Sequence, residues 1–160
     1  MSGDVAAADQ LVRAVEDPEL PHVTIGDLGM VRSVTVVGDS VAVVLTPTFV
    51  GCPATEQIRD DVTATLVDAG FEPTIEFALA PPWTTDWITA EGRAKLSAAG
   101  IAPPCGVGDR DLGTLLDLPV ACPRCGSHQT RRQSDFGATA CKAPYVCHAC
   151  KEPFEWFKPL

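Results

Sequence analysis

Two cysteine pairs near the C-terminus constrain the fold more than any other feature of this chain. Cys122-Pro-Arg-Cys125 and Cys147-His-Ala-Cys150 are separated by 21 residues. Two thiolates spaced in this way bind one side of a tetrahedral ion from a single turn, and a second turn supplies the other side. The intervening residues are enough for a β-hairpin, and Gly126 stands where a chain folding back around a metal often needs a positive φ. The sequence therefore predicts a zinc ribbon over residues 121–160, with the four thiolates closing the sphere of a structural ion.

The N-terminal sequence favours bound metal over disulfide bonds. It has no basic, apolar signal region, and no run of apolar residues is long enough to cross a bilayer. We therefore expect a cytoplasmic protein, in which thiols stay reduced and clustered cysteines bind metals or do chemistry. Zinc is the expected metal of the ribbon and iron is the alternative.

Length and charge separate the ribbon from the rest of the chain. A chain of 160 residues, 46% of them hydrophobic, allows one α/β core of about 100–120 residues beside a small metal-stabilised module. Residues 1–120 carry 18 acidic and 6 basic groups, whereas residues 121–160 carry 3 and 6. An acidic main domain argues against binding along a phosphate backbone. Arg131 and Arg132 offer a small basic face on the ribbon, which is more typical of a solvated strand than of a nucleic-acid site.

Local sequence patterns give an α+β fold with a short sheet of about three strands and flanking helices, followed by the ribbon. The helices are predicted over residues 6–16, 54–69 and 89–99. The strands are predicted over residues 31–37 and 41–45, joined as a hairpin, with Ile75, Phe77 and Leu79 alternating in a third. The domains are then residues 1–100 and 121–160, and residues 101–120, rich in proline and glycine, form the linker.

Cys52 is the second informative cysteine, because it lies between an apolar strand and an amphipathic helix. Pro53 suits the first helical position, which makes Cys52 the N-cap. There the free backbone N–H groups and the helix dipole favour a thiolate, so we expect an exposed thiol with a lowered pKa. The alternative is a buried cysteine that behaves as a small hydrophobic residue.

Several carboxylates in loops are candidates to line the same cleft as Cys52. Asp17 and Glu19 lie in a proline-stiffened loop, Asp27 precedes the first strand, and Asp86 lies between two tryptophans. Hard oxygen ligands beside one thiol would suit an iron ion that must be released again. Their negative charge would raise the thiol pKa against the effect of the helix dipole, so we expect only a modest lowering of that pKa unless iron is present. Asp27 has the simpler alternative of capping a turn.

Taken in order, these segments resemble a known family. Roughly residues 5–100 resemble the SufT-like iron–sulfur assembly domain. The segments that carry this resemblance are Asp17-Pro18-Glu19-Leu20-Pro21, Asp27-Leu28-Gly29-Met30-Val31, Thr46-Pro47-Thr48, Gly51-Cys52-Pro53-Ala54 and Gly100-Ile101-Ala102-Pro103-Pro104. With the C-terminal cysteine pairs and residues 136–142, the whole chain is similar to the PaaD subunits of bacterial phenylacetyl-CoA 1,2-epoxidase systems.

This resemblance implies an accessory role in aerobic phenylacetate degradation, beside a di-iron oxygenase and an iron–sulfur flavin reductase. It implies a subunit that helps to assemble or insert a metal centre, iron–sulfur or di-iron, with structural Zn²⁺ and transient iron or a cluster as its metals. No Gly-x-Gly-x-x-Gly marks a dinucleotide site, and we expect no catalytic activity from the chain alone. A purely structural subunit and a nucleic-acid-binding ribbon protein are the alternatives.

Two further cysteines, Cys105 and Cys141, have no assigned role. Cys141 is a candidate second thiol that faces the main domain or, as the less favoured alternative, an extra ribbon ligand. One cysteine in the main domain is too few for a cluster, so a shared site would need a homodimer, a partner, or these two thiols.

Overall fold

The computed structural model describes residues 2–104 and 119–159. The chain divides into two compact units, residues 1–83 and residues 84–160, and each is described by itself. Within the described residues, no helix combines the length and the apolar character that crossing a membrane requires.

The first unit is a three-stranded sheet with two helices. Its elements are α1 (Ser2–Arg13), β1 (Val31–Val37), β2 (Ser40–Leu45), α2 (Ala54–Asp68) and β3 (Glu72–Phe77). The strand order is β1-β2-β3; β1 and β2 form an antiparallel hairpin, whereas β2 and β3 are parallel. Helix α2 makes the crossover between the two parallel strands, as a parallel pair requires.

Strand alternation and helical spacing place the core of this unit on one side of the sheet. Val41, Val43 and Leu45 of β2 are buried, while the residues between them are more exposed. Helix α2 buries residues four apart on one face. The predicted hairpin and the helix after Cys52 are therefore confirmed.

The ends of two predicted elements are wrong. Helix α1 begins at Ser2 and ends at Arg13, because the following residues turn back to pair with residues 23–25. Ile25 N–H donates to the carbonyl of Val15 at 2.8 Å, so the chain leaves the helix before residue 16. Strand β3 ends at Phe77, which leaves Leu79 outside the sheet and exposed.

The second unit is a four-stranded sheet preceded by a 3-10 turn (Thr85–Trp87) and a helix. The elements are α3 (Ala90–Ala98), β4 (Ile101–Ala102), β5 (Thr130–Arg132), β6 (Lys142–Cys147) and β7 (Pro153–Phe157). The strand order is β4-β7-β6-β5, with β4 parallel to β7 and the other pairs antiparallel. Thr89 caps α3 by accepting a hydrogen bond from Gly92 N–H at 3.0 Å.

Strand β4 brings residues from the predicted linker into the second sheet. Ile101 pairs with Glu155 of β7, and the sequence did not predict this strand. Arg93 of α3 helps to hold the segment around β4 in place, because its guanidinium donates to the carbonyls of Pro104 at 2.6 Å and Thr85 at 2.8 Å. Residues 105–118 of the predicted linker lie outside the described residues. The division between the two units falls at Trp83, earlier than the predicted domain boundary at residue 100.

The core of the second unit contains two of the ribbon cysteines. Tyr145 packs against Phe154 with ring centroids 5.5 Å apart and against the edge of Trp156 at 5.7 Å. Cys122 and Cys147 belong to the same buried cluster. The predicted α+β class, with a small sheet-and-helix domain followed by a β module, is confirmed.

Candidate metal centre and thiol site

The four ribbon cysteines converge on one point. Their Sγ atoms all lie within 4.8 Å of one another. Cys122 Sγ is 3.8 Å from Cys150 Sγ, and Cys125 Sγ is 3.6 Å from Cys147 Sγ. A tetrahedron with Zn–S bonds of about 2.3 Å has edges of about 3.8 Å. The separations therefore fit a tetrahedral ion at the centre of the four sulfurs.

The two turns that carry these cysteines have the same backbone geometry. Gly126 N–H donates to the carbonyl of Cys122 at 2.8 Å, and Lys151 N–H donates to the carbonyl of Cys147 at 3.0 Å. Gly126 has φ 75° and Lys151 has φ 66°, so both occupy the left-handed region immediately after the second cysteine of the pair. The positive φ expected at Gly126 is confirmed. The sequence did not predict the positive φ of Lys151, because lysine rarely adopts the left-handed region.

Backbone N–H groups of the second turn point at its sulfurs. Those of Cys150 and Ala149 lower the pKa of Cys147 to about 7, against the opposing effect of burial. The N–H of Glu152 lowers the pKa of Cys150, but burial and hydrogen bonds to neighbouring thiols outweigh it and raise the pKa to about 11. The backbone alone therefore does not ionise all four thiols at neutral pH. A divalent cation would supply the missing positive charge.

The tetracysteine site is closed. Cys122 and Cys147 are buried, Cys150 is half-buried, and Cys125 is exposed at the surface. Four thiolates complete a tetrahedral sphere and leave no position for a substrate. This arrangement suits a structural metal and has no open position for catalysis.

Cys52 lies in the turn between β2 and α2. Its N–H donates to the carbonyl of Phe49 at 3.3 Å, and its carbonyl accepts from Thr55 N–H at 3.1 Å. Pro53 has helical angles, φ −59° and ψ −28°, and occupies the N-cap position because α2 begins at Ala54. The expected N-cap role of Cys52 is therefore shifted by one residue, although its sulfur still accepts a hydrogen bond from Ala54 N–H.

The pKa expected for Cys52 was wrong in direction. Burial raises the pKa of this half-buried thiol and is the largest effect. The Ala54 N–H lowers it, but the negative charges of Glu19 and Asp17 raise it further. The opposing effect of the loop carboxylates was expected, but burial, which is the largest effect, was not. The thiol therefore keeps its proton at neutral pH unless a cation replaces it.

Two of the four candidate carboxylates, Asp17 and Glu19, raise the pKa of Cys52 through their charge. Asp17 is 9% exposed and accepts a hydrogen bond from Glu19 N–H at 2.8 Å, which orders the loop. Asp27 caps a turn, as its simpler alternative supposed: its Oδ2 accepts from Thr24 N–H at 2.9 Å, and its own N–H donates to the Thr24 hydroxyl at 3.0 Å. Asp86 lies exposed in the 3-10 turn of the second unit. Asp17 and Glu19 are thus the carboxylates whose charge raises the thiol pKa. Among the described residues, these two carboxylates and the thiol do not converge as the four ribbon sulfurs do.

Glu19 and His22 have the Glu-x-x-His spacing that di-iron proteins use on helices. In this chain both residues lie in turns, and His22 is exposed with φ 62°. Because the residues are not on a helix, the spacing does not place them on a common helical face.

Cys141 does not belong to the four-sulfur cluster found among the described residues. It is half-buried, and its sulfur lies 3.1 Å from the Thr139 hydroxyl, just before β6. Its role as a thiol facing the main domain stays a prediction, and Cys105 lies outside the described residues.

The fold and these sites define the class as an iron–sulfur assembly domain joined to a zinc ribbon. Residues 6–70 match the family described as "Iron-sulfur cluster assembly protein", and residues 110–158 match the "PaaD zinc beta ribbon domain". A relative from Escherichia coli K12 is named as a subunit of a putative 1,2-phenylacetyl-CoA epoxidase. It is 45% identical over 149 residues, which cover 92% of this chain and 88% of that protein. The chain belongs to this PaaD family of epoxidase subunits, and the resemblance seen in the sequence is confirmed.

Two further comparisons concern the first part of the chain. A protein of Porphyromonas gingivalis named "Fe-S protein maturation auxiliary factor" is 33% identical over 90 residues, covering 54% of this chain and 85% of that protein. The crystal structure of a DUF59 domain from Bacillus anthracis aligns with a TM-score of 0.55 and 28% identity, covering 59% of this chain and 92% of that one. The shared part is therefore about the size of the iron–sulfur assembly domain.

Proposed function

We propose that this chain is an accessory subunit of a phenylacetyl-CoA epoxidase system that helps to assemble or insert a metal centre. Cys52, with Asp17 and Glu19, holds iron transiently as cargo. The observation that carries the proposal is the half-buried thiol of Cys52 at the start of α2, in a domain whose family is described as "Iron-sulfur cluster assembly protein". The charges of Glu19 and Asp17, which raise the pKa of this thiol, support it. The accessory role in phenylacetate degradation comes from the relative named as an epoxidase subunit.

The ligands proposed for iron, the Cys52 thiolate with carboxylate oxygens, would suit transfer of a metal. One soft thiolate and hard carboxylate oxygens bind iron less selectively than four thiolates do, so the ion exchanges more readily. The negative charges that raise the thiol pKa also attract a cation, and a bound cation reverses their effect on the thiol. Metal binding then releases the thiol proton, which makes the affinity fall as the pH falls.

The tetracysteine site, in contrast to the Cys52 site, is proposed to keep its metal, one structural Zn²⁺. Its sulfurs have the separations of a zinc tetrahedron, and two of them lie in the core of the unit. A small β module gains much of its stability from such an ion. Iron in place of zinc is the alternative that metal analysis decides.

The proposed partners are the oxygenase and reductase subunits of the epoxidase system. One thiol at the cargo site is too few for an iron–sulfur cluster, so a cluster would need donors from a partner or from a second copy of this chain. The charge of −10 on residues 1–83, from 13 acidic and three basic side chains, disfavours a nucleic acid as the partner.

Iron binding by purified variants tests the cargo site. After anaerobic reconstitution with Fe²⁺, wild type should bind about one iron per chain beyond the ribbon metal, and Cys52→Ser should lose it while keeping its zinc and its circular dichroism spectrum. Cys141→Ser, which removes another half-buried thiol, should keep the iron, and loss of iron in this variant would instead identify Cys141 as a second thiol of the site. Equal iron binding by wild type and Cys52→Ser would contradict the proposal.

A structural role is the second candidate, because the relative is named as a subunit of the enzyme. If the chain helps to assemble a metal centre, cells carrying Cys52→Ser should contain an assembled epoxidase that is poor in iron and weakly active. Normal iron occupancy and full activity with the Cys52→Ser chain would instead favour a structural subunit.

A further inference from the structure

An apolar groove opens beside Cys52. It is formed by residues 46–50 of the β2–α2 loop together with Leu79, Pro82 and Trp83, and its volume is about 240 Å³. Trp83 is fixed in place, since its Nε1–H donates to the carbonyl of Leu28 at 2.8 Å and its side chain is buried. The groove therefore has a rigid wall on one side and a loop on the other.

The rim of the groove exposes large apolar side chains to solvent. Val50 is 69% exposed, Leu79 is 56% exposed and Phe49 is 41% exposed. These are three of the seven exposed large hydrophobic residues in the described part of the chain. Single exposed apolar residues are common, but a group of them around a concave surface is typical of a binding site.

The groove is connected to Cys52 through the backbone. The carbonyl of Phe49 accepts the N–H of Cys52, and only Gly51, with φ 80°, separates Val50 from the thiol residue. Two residues span at most about 7 Å of chain. Anything held against the rim therefore lies close to the thiol.

Size and charge indicate the occupant. The groove is smaller than the roughly 300–1,000 Å³ of pockets for drug-sized ligands, so it suits one or two apolar side chains. No charged residue lines it among the described residues, yet it belongs to a unit with a net charge of −10, and Asp17 and Glu19 act on the adjacent Cys52. Such surroundings attract cationic flanks and disfavour anionic ligands and a second copy of the same face.

We propose that this groove docks a segment of a partner protein that carries one or two large apolar side chains flanked by lysine or arginine. The segment seats its apolar side chains between the loop and Leu79, and its cationic flanks face the acidic surface. Docking holds the partner against Cys52, and this purpose rests on the proposed function in metal delivery. The binding itself does not depend on the thiol or on iron.

Defined peptides test the groove in the full-length chain. The probes are fluorescent 12-residue peptides with a leucine–phenylalanine centre and lysine flanks, the same centre with glutamate flanks, and a serine centre with lysine flanks. We expect the first peptide to bind wild type, and the other two to bind at least about tenfold more weakly. The preference for lysine flanks should shrink as salt is raised.

Exposed positions allow a groove variant that should still fold. The double variant Val50→Ser, Leu79→Ser should weaken binding of the first peptide at least about tenfold. Val37→Ser is the matched control, because Val37 is 73% exposed on β1 and does not line the groove. Equal binding by the double variant, equal binding of the glutamate-flanked peptide, or no binding of the first peptide up to about 1 mM overturns the proposal.

The two proposals fail separately. Cys52→Ser should bind the peptide as wild type does while losing iron, whereas the groove variant should keep its iron and lose the peptide. Sedimentation velocity addresses a second copy as the occupant: a wild-type dimer that the groove variant dissociates would overturn docking of a partner segment. A groove variant that retains iron but loses peptide binding, together with monomeric wild type, is the result we expect.

Discussion

Serine substitutions at the four ribbon cysteines should have graded effects set by burial. Structural zinc contributes about 10–16 kcal/mol in small zinc-binding peptides, as much as the whole stability of an ordinary domain. Cys147 is fully buried and Cys122 is 2% exposed, so serine there loses a ligand and also buries a hydroxyl, at a further cost of about 1–3 kcal/mol. Cys125 is exposed, and water can replace its sulfur at the ion. Cys125→Ser should therefore retain a folded ribbon in excess zinc, whereas Cys147→Ser should not.

Two-dimensional NMR of the tryptophan indole N–H groups measures this series. Trp156 is fully buried in the core that contains Cys147, and Trp83 belongs to the first unit. Adding a chelator to wild type, or introducing Cys147→Ser, should move the Trp156 signal to its unfolded position and leave that of Trp83 in place. Zinc analysis of the same samples should give about one ion per wild-type chain. An unchanged Trp156 signal in metal-free protein, or equal damage from Cys125→Ser and Cys147→Ser, would refute the reasoning.

Three smaller changes test the first unit. Asp17→Asn should lower the pKa of Cys52 and speed its alkylation by iodoacetamide at pH 8 by about two- to fivefold, and an unchanged rate contradicts the electrostatic account. Gly26→Ala should destabilise the chain by about 1–3 kcal/mol in urea denaturation, because a Cβ there would lie 2.7 Å from the carbonyl oxygen of Arg13. An unchanged free energy of unfolding would show that the backbone shifts to accommodate the methyl group. Thr46→Val should stabilise it by about 1 kcal/mol, because it removes a buried hydroxyl with no partner among the described residues, and lower stability would disprove this.

The pKa of Cys52 also sets a pH dependence. Because burial and the carboxylates raise it, the folded chain binds this proton more tightly than the unfolded chain does. The protonated thiol therefore contributes to the free energy of unfolding. This contribution is fully present below the ordinary thiol pKa and is lost as the pH rises through the raised pKa of Cys52. Cys52→Ala should remove this loss from the alkaline side of the stability profile, and a profile that still falls equally would contradict the assignment.

Local signals account for what the sequence predicted correctly. The hairpin follows from two β-branched runs around Gly38, and α2 follows from the four-residue spacing of Ile58, Val62 and Leu66. Each signal lies within about 15 residues, so tertiary context had little to change. Two cysteine pairs at the right spacing predicted a cluster for the same reason, since each turn is built locally.

Long-range contacts account for what the sequence could not predict. Strand β4 has only two residues and exists through parallel pairing with β7, more than 50 residues later. Pairing over that separation leaves no pattern in a two-residue segment. The direction of the pKa shift of Cys52 fails in the same way, because its largest cause is burial, which tertiary packing sets and the local sequence does not show. Leu79 looked like the end of a strand by alternation, but β3 ends at Phe77, and Leu79 instead forms the rim of the groove.

The two thiol sites of this chain differ in how firmly they would hold a metal. Among the ribbon cysteines, four sulfurs converge, backbone N–H groups assist, and two of the sulfurs lie within the core, so releasing the ion would require the unit to unfold. At Cys52 a single half-buried thiol keeps its proton, because burial and two carboxylates oppose the thiolate. An iron ion held there, as proposed, would have to displace that proton and would depend on oxygen ligands that exchange easily. Proton uptake by the thiol would then accompany release of the ion, and in the proposed accessory role the chain would deliver metal without unfolding.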